Sequence, residues 1–137
     1  MQVYIAGQYA RKLEFREYAA QCRQQGITVG ARWLDESEAP TIGLNDNSDE
    51  KLAHYGQRDY QDIQDCDIFV FFAEPNTNQP PRGGRHVEFG MAVQLRRPIV
   101  VIGQPENIFH YLPWLDVEFF DNWNSALAYL VQKEIGD

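Results

Sequence analysis

The segment Asp67-Ile68-Phe69-Val70-Phe71-Phe72-Ala73 is apolar at consecutive rather than alternating positions, the pattern of a strand covered on both faces. Such a strand belongs at the centre of a parallel sheet, and the rest of the chain has to supply a helical layer for each side. The flanking sequence does so. Val3, Tyr4, Ile5 and Ala6 form a short β-prone run that stops at Gly7, and residues 11–25 show helical spacing at Leu13, Tyr18 and Cys22 before Gly26 ends the helix. Residues 27–34 read as a second strand, and 35–49 as a long polar loop containing Pro40 and Gly43. A surface helix is expected over 50–65, with Leu52, Tyr55, Tyr60 and Ile63 as its apolar positions. After the central strand come a Pro-, Asn- and Gly-rich loop over 74–84, a helix over 85–95 and a strand over 98–102. A short helix over 107–112, an edge strand over 117–120 and an amphipathic helix over 122–133 complete the pattern, the last with Trp123, Ala126, Leu127 and Leu130 on one stripe.

This alternation predicts a single α/β domain over residues 1–137, doubly wound in the Rossmann-like or flavodoxin-like manner. Its mainly parallel five-stranded sheet carries helices on both faces. No internal repeat or low-complexity tract interrupts it. In such sheets the ligand lies outside the carboxyl ends of the strands, where strand order reverses. That places the loops leaving the first and third strands, 7–11 and 74–84, at the expected site.

Charge narrows the partners. With 12 Lys and Arg against 20 Asp and Glu the net charge is −8, which argues against wrapping duplex nucleic acid, since that binding rests on many cationic contacts to phosphate. The longest apolar stretch, Ile68 to Ala73, is far short of the roughly 20 residues of a spanning helix, so no membrane partner is expected. The chain runs from Met1 straight into QVYIAG without the pattern of an export signal, and Cys22 and Cys66 lie in unrelated segments. Buried free thiols in a reducing, cytoplasmic compartment are the expectation. His54, His86 and His110 are scattered and no ligand spacing joins them to cysteines or carboxylates, so neither metal nor cofactor is expected. Walker-type, dinucleotide Gly-x-Gly-x-x-Gly and Gly-x-Ser-x-Gly motifs are all missing from the sequence.

Glu88 is the most informative residue. At helical spacing it shares a face with Met91, Ala92 and Leu95, so a carboxylate has joined an apolar stripe. A buried unpaired charge costs several kcal/mol or a large pKa shift, and such a group usually has a partner or a task. It also follows Gly83-Gly84 within the expected first turn, where the helix dipole favours the ionised form. Both facts suit a nucleophile; the alternative is an ordinary first-turn glutamate turned to solvent. Asp59, Asp62, Asp65 and Asp67 form an acidic series whose default reading is a solvated helix face. Arg82 and Arg85 frame the two glycines and can hold a phosphate at a helix N-terminus, or be a solvated basic pair. His86 and Glu88, two residues apart on a helix, point to different sides.

Taken together, VYIAGQYARK, RDYQDIQDCDIFVFFAEP and RGGRHVEFGMAVQLRRPIVVIG resemble the nucleoside 2-deoxyribosyltransferase family, including its 2'-deoxynucleoside 5'-monophosphate N-glycosidase branch. The likeness covers most of residues 1–103. Its pattern is an early Tyr in the first strand before a Gly-containing loop, an Asp eight residues before the Asp that opens the central strand, and a Glu-Leu/Phe-Gly-x-Ala helix start. Those positions are Tyr4, Asp59 and Glu88 in Glu88-Phe89-Gly90-Met91-Ala92.

The resemblance implies that Glu88 attacks C1' of a 2'-deoxyribosyl group and displaces the base, leaving a covalent intermediate resolved by water or a second base. It implies further that Asp59 protonates the departing base or holds its edge, and that Tyr4 orients Glu88. Tyr9, or Phe72 if it is not simply core, is placed to stack on the base. Several transferases carry an Asp six residues before the nucleophile, and this chain has Arg82 there. Arg82, Gly83, Gly84 and Arg85 together fit a 5'-phosphate better than a bare hydroxyl. The glycosidase branch often uses its first loop for that phosphate, a pattern that Gly7, Gln8, Tyr9 and Arg11 match in part. The resemblance also implies a homo-oligomer, for which Phe109, Tyr111, Trp114, Phe119, Phe120 and Trp123 are candidate contacts, or else core. The competing reading is a non-catalytic nucleotide-binding or sensing module on the same fold; a ribonucleotide or dinucleotide substrate is a third.

Overall fold

The computed structural model describes residues 1–36, 49–73 and 83–136. Five strands, β1 (Gln2–Ala6), β2 (Thr28–Val29), β3 (Ile68–Phe72), β4 (Ile99–Ile102) and β5 (Val117–Phe120), pair in the order β2-β1-β3-β4-β5. Every pairing is parallel. Four helices accompany them: α1 (Lys12–Gln24), α2 (Asp49–Asp65), α3 (Gly84–Gln94) and α4 (Trp123–Gly136). The order 2-1-3-4-5 is the flavodoxin-like form of the doubly wound sheet, with its switch point between β1 and β3.

All five residues of β3 are buried, as the unbroken apolar run requires. Its side chains alternate between two layers. Phe69 and Phe71 meet Phe89 of α3, with ring centroids 6.4 and 5.2 Å away. Phe72 faces the opposite side, 4.5 Å from Phe15 of α1 and 6.0 Å from Trp123 of α4. Thus α1 and α4 cover one face, and α2 and α3 pack together on the other. β5 is the half-exposed edge.

The structure differs from the expected elements mainly at β2. Instead of a strand over 27–34, two residues pair with β1 and the chain then curls into a 3-10 turn, Arg32–Asp35. Trp33 explains the curl: its Nε1 donates to the Ile5 carbonyl at 2.8 Å and its ring meets Phe15 edge-on. An extended chain at the sheet edge would leave that ring in water, whereas the turn buries it together with Leu34. Short 3-10 turns at Tyr9–Arg11 and Ile108–Tyr111 complete the described connections. Cys22 and Cys66 are both free and buried, and burial pushes their thiols up to about 11 and about 12. Among the described residues no helix is long and apolar enough to cross a membrane, and no cluster of three metal-ligating side chains occurs.

Candidate active site

Tyr4, in the middle of β1, is fully buried and stacks on Phe69 of β3 at 5.6 Å. Its hydroxyl donates to the Glu88 carboxylate of α3. α2 packs beside α3 and against β1, and brings Asp59 close enough for its charge to act on both partners. Three residues from three elements, 84 positions apart at the extreme, therefore form one polar cluster in an otherwise aromatic layer.

Burial is the largest influence on Glu88: it pushes the carboxyl up to about 8, the Asp59 charge adds to the rise, and the Tyr4 hydrogen bond opposes it. Burial also raises the Tyr4 phenol well above its ordinary range, followed by the charges of Glu88 and Asp59. Tyr4 is consequently a donor at every physiological pH. Asp59 is raised by burial, with the hydrogen bond and charge of Arg58 pulling the other way and Glu36 and Asp62 adding to the rise. Two carboxyl groups of unlike surroundings beside a fixed phenol make the arrangement in which acid–base and nucleophilic roles separate.

The position of Glu88 differs from expectation in one respect. α3 starts at Gly84, with Gly83 as its cap in the left-handed region at φ 82°, a conformation that favours glycine. Glu88 thus opens the second turn, beyond the strongest reach of the helix dipole. Desolvation governs it, and the neutral form gains where the dipole would have favoured the charged one. The apolar stripe itself is present, since Ala92 is fully buried and Met91 and Leu95 pack on the core.

The first-loop residues are tied largely to the protein itself. A Cβ on Gly7 would lie 2.4 Å from the Phe15 ring, so Phe15 packs directly on that backbone. Gln8 caps the turn in extended conformation. Tyr9 accepts from Lys12 at 3.0 Å and tilts against Trp33. Arg11 bonds Glu14 at 2.7 Å, its guanidinium 5.0 Å from the Phe15 ring centroid and 5.4 Å from that of Phe72. On the other loop, Gly84 is exposed and open around its Cα. Arg85 is buried, ion-paired with Glu106 and set over Phe71 at 5.5 Å. Arg82 lies outside the described residues. Phe72 is 2% exposed and packed among rings, which makes it core.

His86 turns away from Glu88, towards Asn107 at 3.4 Å and the fully buried His110. Asp62 corrects the reading of a solvated acidic face: it is 5% exposed and accepts from the Arg32 backbone N at 3.0 Å and Nε at 2.9 Å. Asp65 and Asp67 do lie at the surface, bonded to Gln61 and to the Gln2 backbone. Of the aromatics in the last third, Phe109, Tyr111, Trp114 and Phe119 are exposed, while Trp123 is buried against Tyr18. Two residues of the site region had no sequence signal: Arg58, bonded to Asp59 at 3.0 Å, and Glu36, its second partner. Nothing in local spacing joins positions 36 and 58; only the fold does.

No protein-family model and no curated protein matches the chain. Solved structures do. A 2-deoxyribosyltransferase from Bacillus psychrosaccharolyticus superposes with a TM-score of 0.69 at 19% identity, over 94% of this chain and 92% of that one. This chain has the 2-deoxyribosyltransferase fold. The corresponding enzyme of Leishmania mexicana gives a TM-score of 0.63 at 15% identity, over 96% and 97% of the two chains. The CMP N-glycosidase of Clostridium botulinum gives 0.56 at 18%, over 95% and 98%. At these identities the likeness is one of fold, and within the deoxyribosyltransferase fold Tyr4, Asp59 and Glu88 lie on the α2–α3 side of the switch point.

Proposed function

We propose that the protein belongs to the nucleoside 2-deoxyribosyltransferase family and cleaves or transfers the N-glycosidic bond of a 2'-deoxynucleoside or its 5'-monophosphate. The observation that carries this reading is the Tyr4–Glu88 hydrogen bond. A buried phenol holding a carboxylate beside a second carboxylate is costly to build, and a purely binding surface has no use for it. The neighbours' activities, nucleoside deoxyribosyl transfer and CMP N-glycoside cleavage, support the same chemistry.

In this mechanism the ionised Glu88 attacks C1' as the C1'–N bond breaks, giving a glycosyl ester through an oxocarbenium-like transition state. The bonding electrons leave with the base, and Asp59 protonates it or accepts from its edge. Water or a second base then attacks C1' and returns Glu88 as carboxylate. Tyr4 fixes the attacking oxygen, which matters because a small displacement of a reacting atom costs orders of magnitude in rate. With a carboxyl at about 8, about one in ten free molecules is ionised at pH 7. Positive charge developing at C1' favours that form during reaction. The substrate site draws on Gly7, Gln8, Tyr9 and Arg11 of the first loop and on Gly83 and Gly84 at the start of α3, with Arg82 joining them on the strength of the sequence resemblance alone. Arg85 would have to leave Glu106 to join a phosphate. The working form is a homo-oligomer in the cytoplasm, needing no cofactor, with Phe109, Tyr111, Trp114 and Phe119 as contact candidates.

The test is chromatography of free base after incubating wild type and Glu88→Ala with 2'-deoxynucleosides, their 5'-monophosphates and ribonucleotide controls, each with and without a second base. Base release or exchange confined to wild type is expected. Tight nucleotide binding by a folded wild type with no turnover would overturn the reading in favour of a sensing module.

A further inference from the structure

Arg58 and Asp59 are adjacent on α2, where successive side chains diverge by about 100° and do not face each other. Yet the Arg58 Nε and Nη2 lie 3.3 and 3.0 Å from one oxygen, Oδ1 of Asp59. The guanidinium is folded back onto its neighbour, and Glu36 is what draws it there: the same Nη2 bonds the Glu36 carboxylate. The two side chains are 11% and 10% exposed, against 30% for Asp59. Glu36 is itself anchored from the other side of the molecule. Its carbonyl accepts from Arg16 Nη2 at 2.9 Å and from Lys12 Nζ, both on α1. The Tyr55 ring, 5.1 Å from the Arg58 guanidinium, completes the seat. An ion pair that was only a surface accident would be exposed and would lack this second partner. Among the described residues nothing bonds the other oxygen of Asp59.

We propose that Arg58, seated by Glu36, is the positioning residue for Asp59, as Tyr4 is for Glu88: it fixes Oδ1 of Asp59 and leaves Oδ2 as the atom that meets the departing base. The inference rests on the function proposed above for what Asp59 does, and on the ion-pair geometry alone for what Arg58 does to Asp59. The titratable and charged groups around Asp59 are Arg58 and Asp62 on α2, Glu36 and Arg32 from the turn after β2, the neutral phenol of Tyr4 on β1 and Glu88 of α3. Arg58 is the cation bonded to it directly. Its loss leaves Asp59 in mostly acidic company, so proton affinity there has to increase.

The experiment is a carboxyl-carbon NMR titration of Asp59 in wild type, R58K and R58Q, assigned by its loss in D59N, followed by pH–rate profiles of the same proteins. R58Q is expected to raise the Asp59 midpoint by about one pH unit and to move one limb of the kcat/KM profile upward by the same amount. Movement of the acid limb means that Asp59 works ionised as an acceptor; movement of the basic limb means that it works as an acid. R58K keeps the charge without the planar fork, so its midpoint stays near wild type while kcat falls about tenfold. An unmoved midpoint in folded R58Q, or wild-type kcat in R58K, overturns the proposal. The titration needs no substrate. Absence of N-glycosidic turnover in wild type would therefore sink the function while the NMR still decides whether Arg58 governs Asp59.

Discussion

The two faces of the sheet use their buried volume differently. On the α1–α4 side, Phe15, Tyr18, Phe72 and Trp123 form a ring stack, Tyr18 lying 4.6 Å from Trp123 and 5.5 Å from Phe72 at near-parallel angles. On the α2–α3 side the aromatic layer of Phe69, Phe71 and Phe89 is interrupted by Tyr4, Glu88 and Asp59. The first face is aromatic packing whose contribution scales with apolar area. The second holds a carboxyl that burial has driven up to about 8, which is free energy stored against folding. Under the proposed function, one face stabilises what the other needs in order to react, the usual relation between a scaffold and a destabilised site.

The largest expected effect breaks the reactive face. Glu88→Gln removes the proposed nucleophile while nearly preserving shape, and turnover should fall on the order of 10⁴-fold, measured as base release. The same variant should be more stable than wild type at high pH. Glu88 binds its proton more tightly in the native state, about 8 against an ordinary 4.5, so wild-type stability is greatest below the lower value and declines as pH rises across that window. Denaturant midpoints of Glu88→Gln should lack this decline, leaving it roughly 2–4 kcal/mol ahead at pH 8. A variant that loses both activity and stability at pH 8 would mean that Glu88 is structural. Phe72→Ala breaks the other face: about 3–5 kcal/mol of stability is expected to go with the ring, while kcat of the folded fraction stays within a few-fold. If kcat instead collapses at full folding, Phe72 touches substrate and the two faces are not separable.

Much of this contrast is legible in the sequence, for a physical reason. The consecutive apolar run of β3 and the helical stripe around Glu88 are local patterns, and a carboxylate on such a stripe is anomalous wherever the chain ends up. What escaped is what only tertiary contact decides. Asp62 looks identical to Asp65 at helical spacing, yet one is buried against Arg32 and the other bonds Gln61. Residues 27–34 satisfy strand propensity, and the single hydrogen bond from Trp33 to Ile5 overrides it. Glu36 and Arg58 meet across 22 positions, with no periodicity to announce them. The onset of α3 at Gly84 rather than Arg85 moved Glu88 by one position, from the end of the first turn to the start of the second, where the dipole effect fades while burial does not.

A smaller effect sharpens the boundary of the reactive cluster. Asp62 shares α2 with Asp59, and its oxygens are taken up by Arg32, which is itself 56% exposed. Asp62→Asn keeps the shape but loses the charge, and a hydrogen bond to a charged group is worth about 1.5–3 kcal/mol. Because Arg32 can turn to water, a loss near the lower end of that range is expected, about 1–2 kcal/mol. Removing this nearby negative charge also lowers the proton affinity of Asp59, to which it contributes a rise. Thermal unfolding with wild-type turnover at pH 7 would assign Asp62 to the scaffold; a loss of turnover larger than the loss of stability would draw it into the site.

The finest test acts on a single hydroxyl group. Tyr4→Phe keeps the stack on Phe69, which is parallel to within 5°, and removes only the donor to Glu88. That hydrogen bond is the one interaction lowering the Glu88 carboxyl, against burial and the Asp59 charge. The sign follows: without it the Glu88 midpoint moves above about 8, and the alkaline rise in kcat/KM expected from Glu88 ionisation under the proposed function moves up with it. At pH 7 the ionised fraction then drops about tenfold further for every pH unit by which the midpoint rises, whereas at a pH above both midpoints that deficit disappears. What remains at high pH is the part due to orientation alone. A variant whose rate is reduced equally at every pH would assign Tyr4 to positioning, while recovery to wild-type rate at high pH would assign it to proton affinity. An unchanged profile would show that the hydroxyl is a bystander and that the contrast between the two faces rests on Glu88 and Asp59 without it.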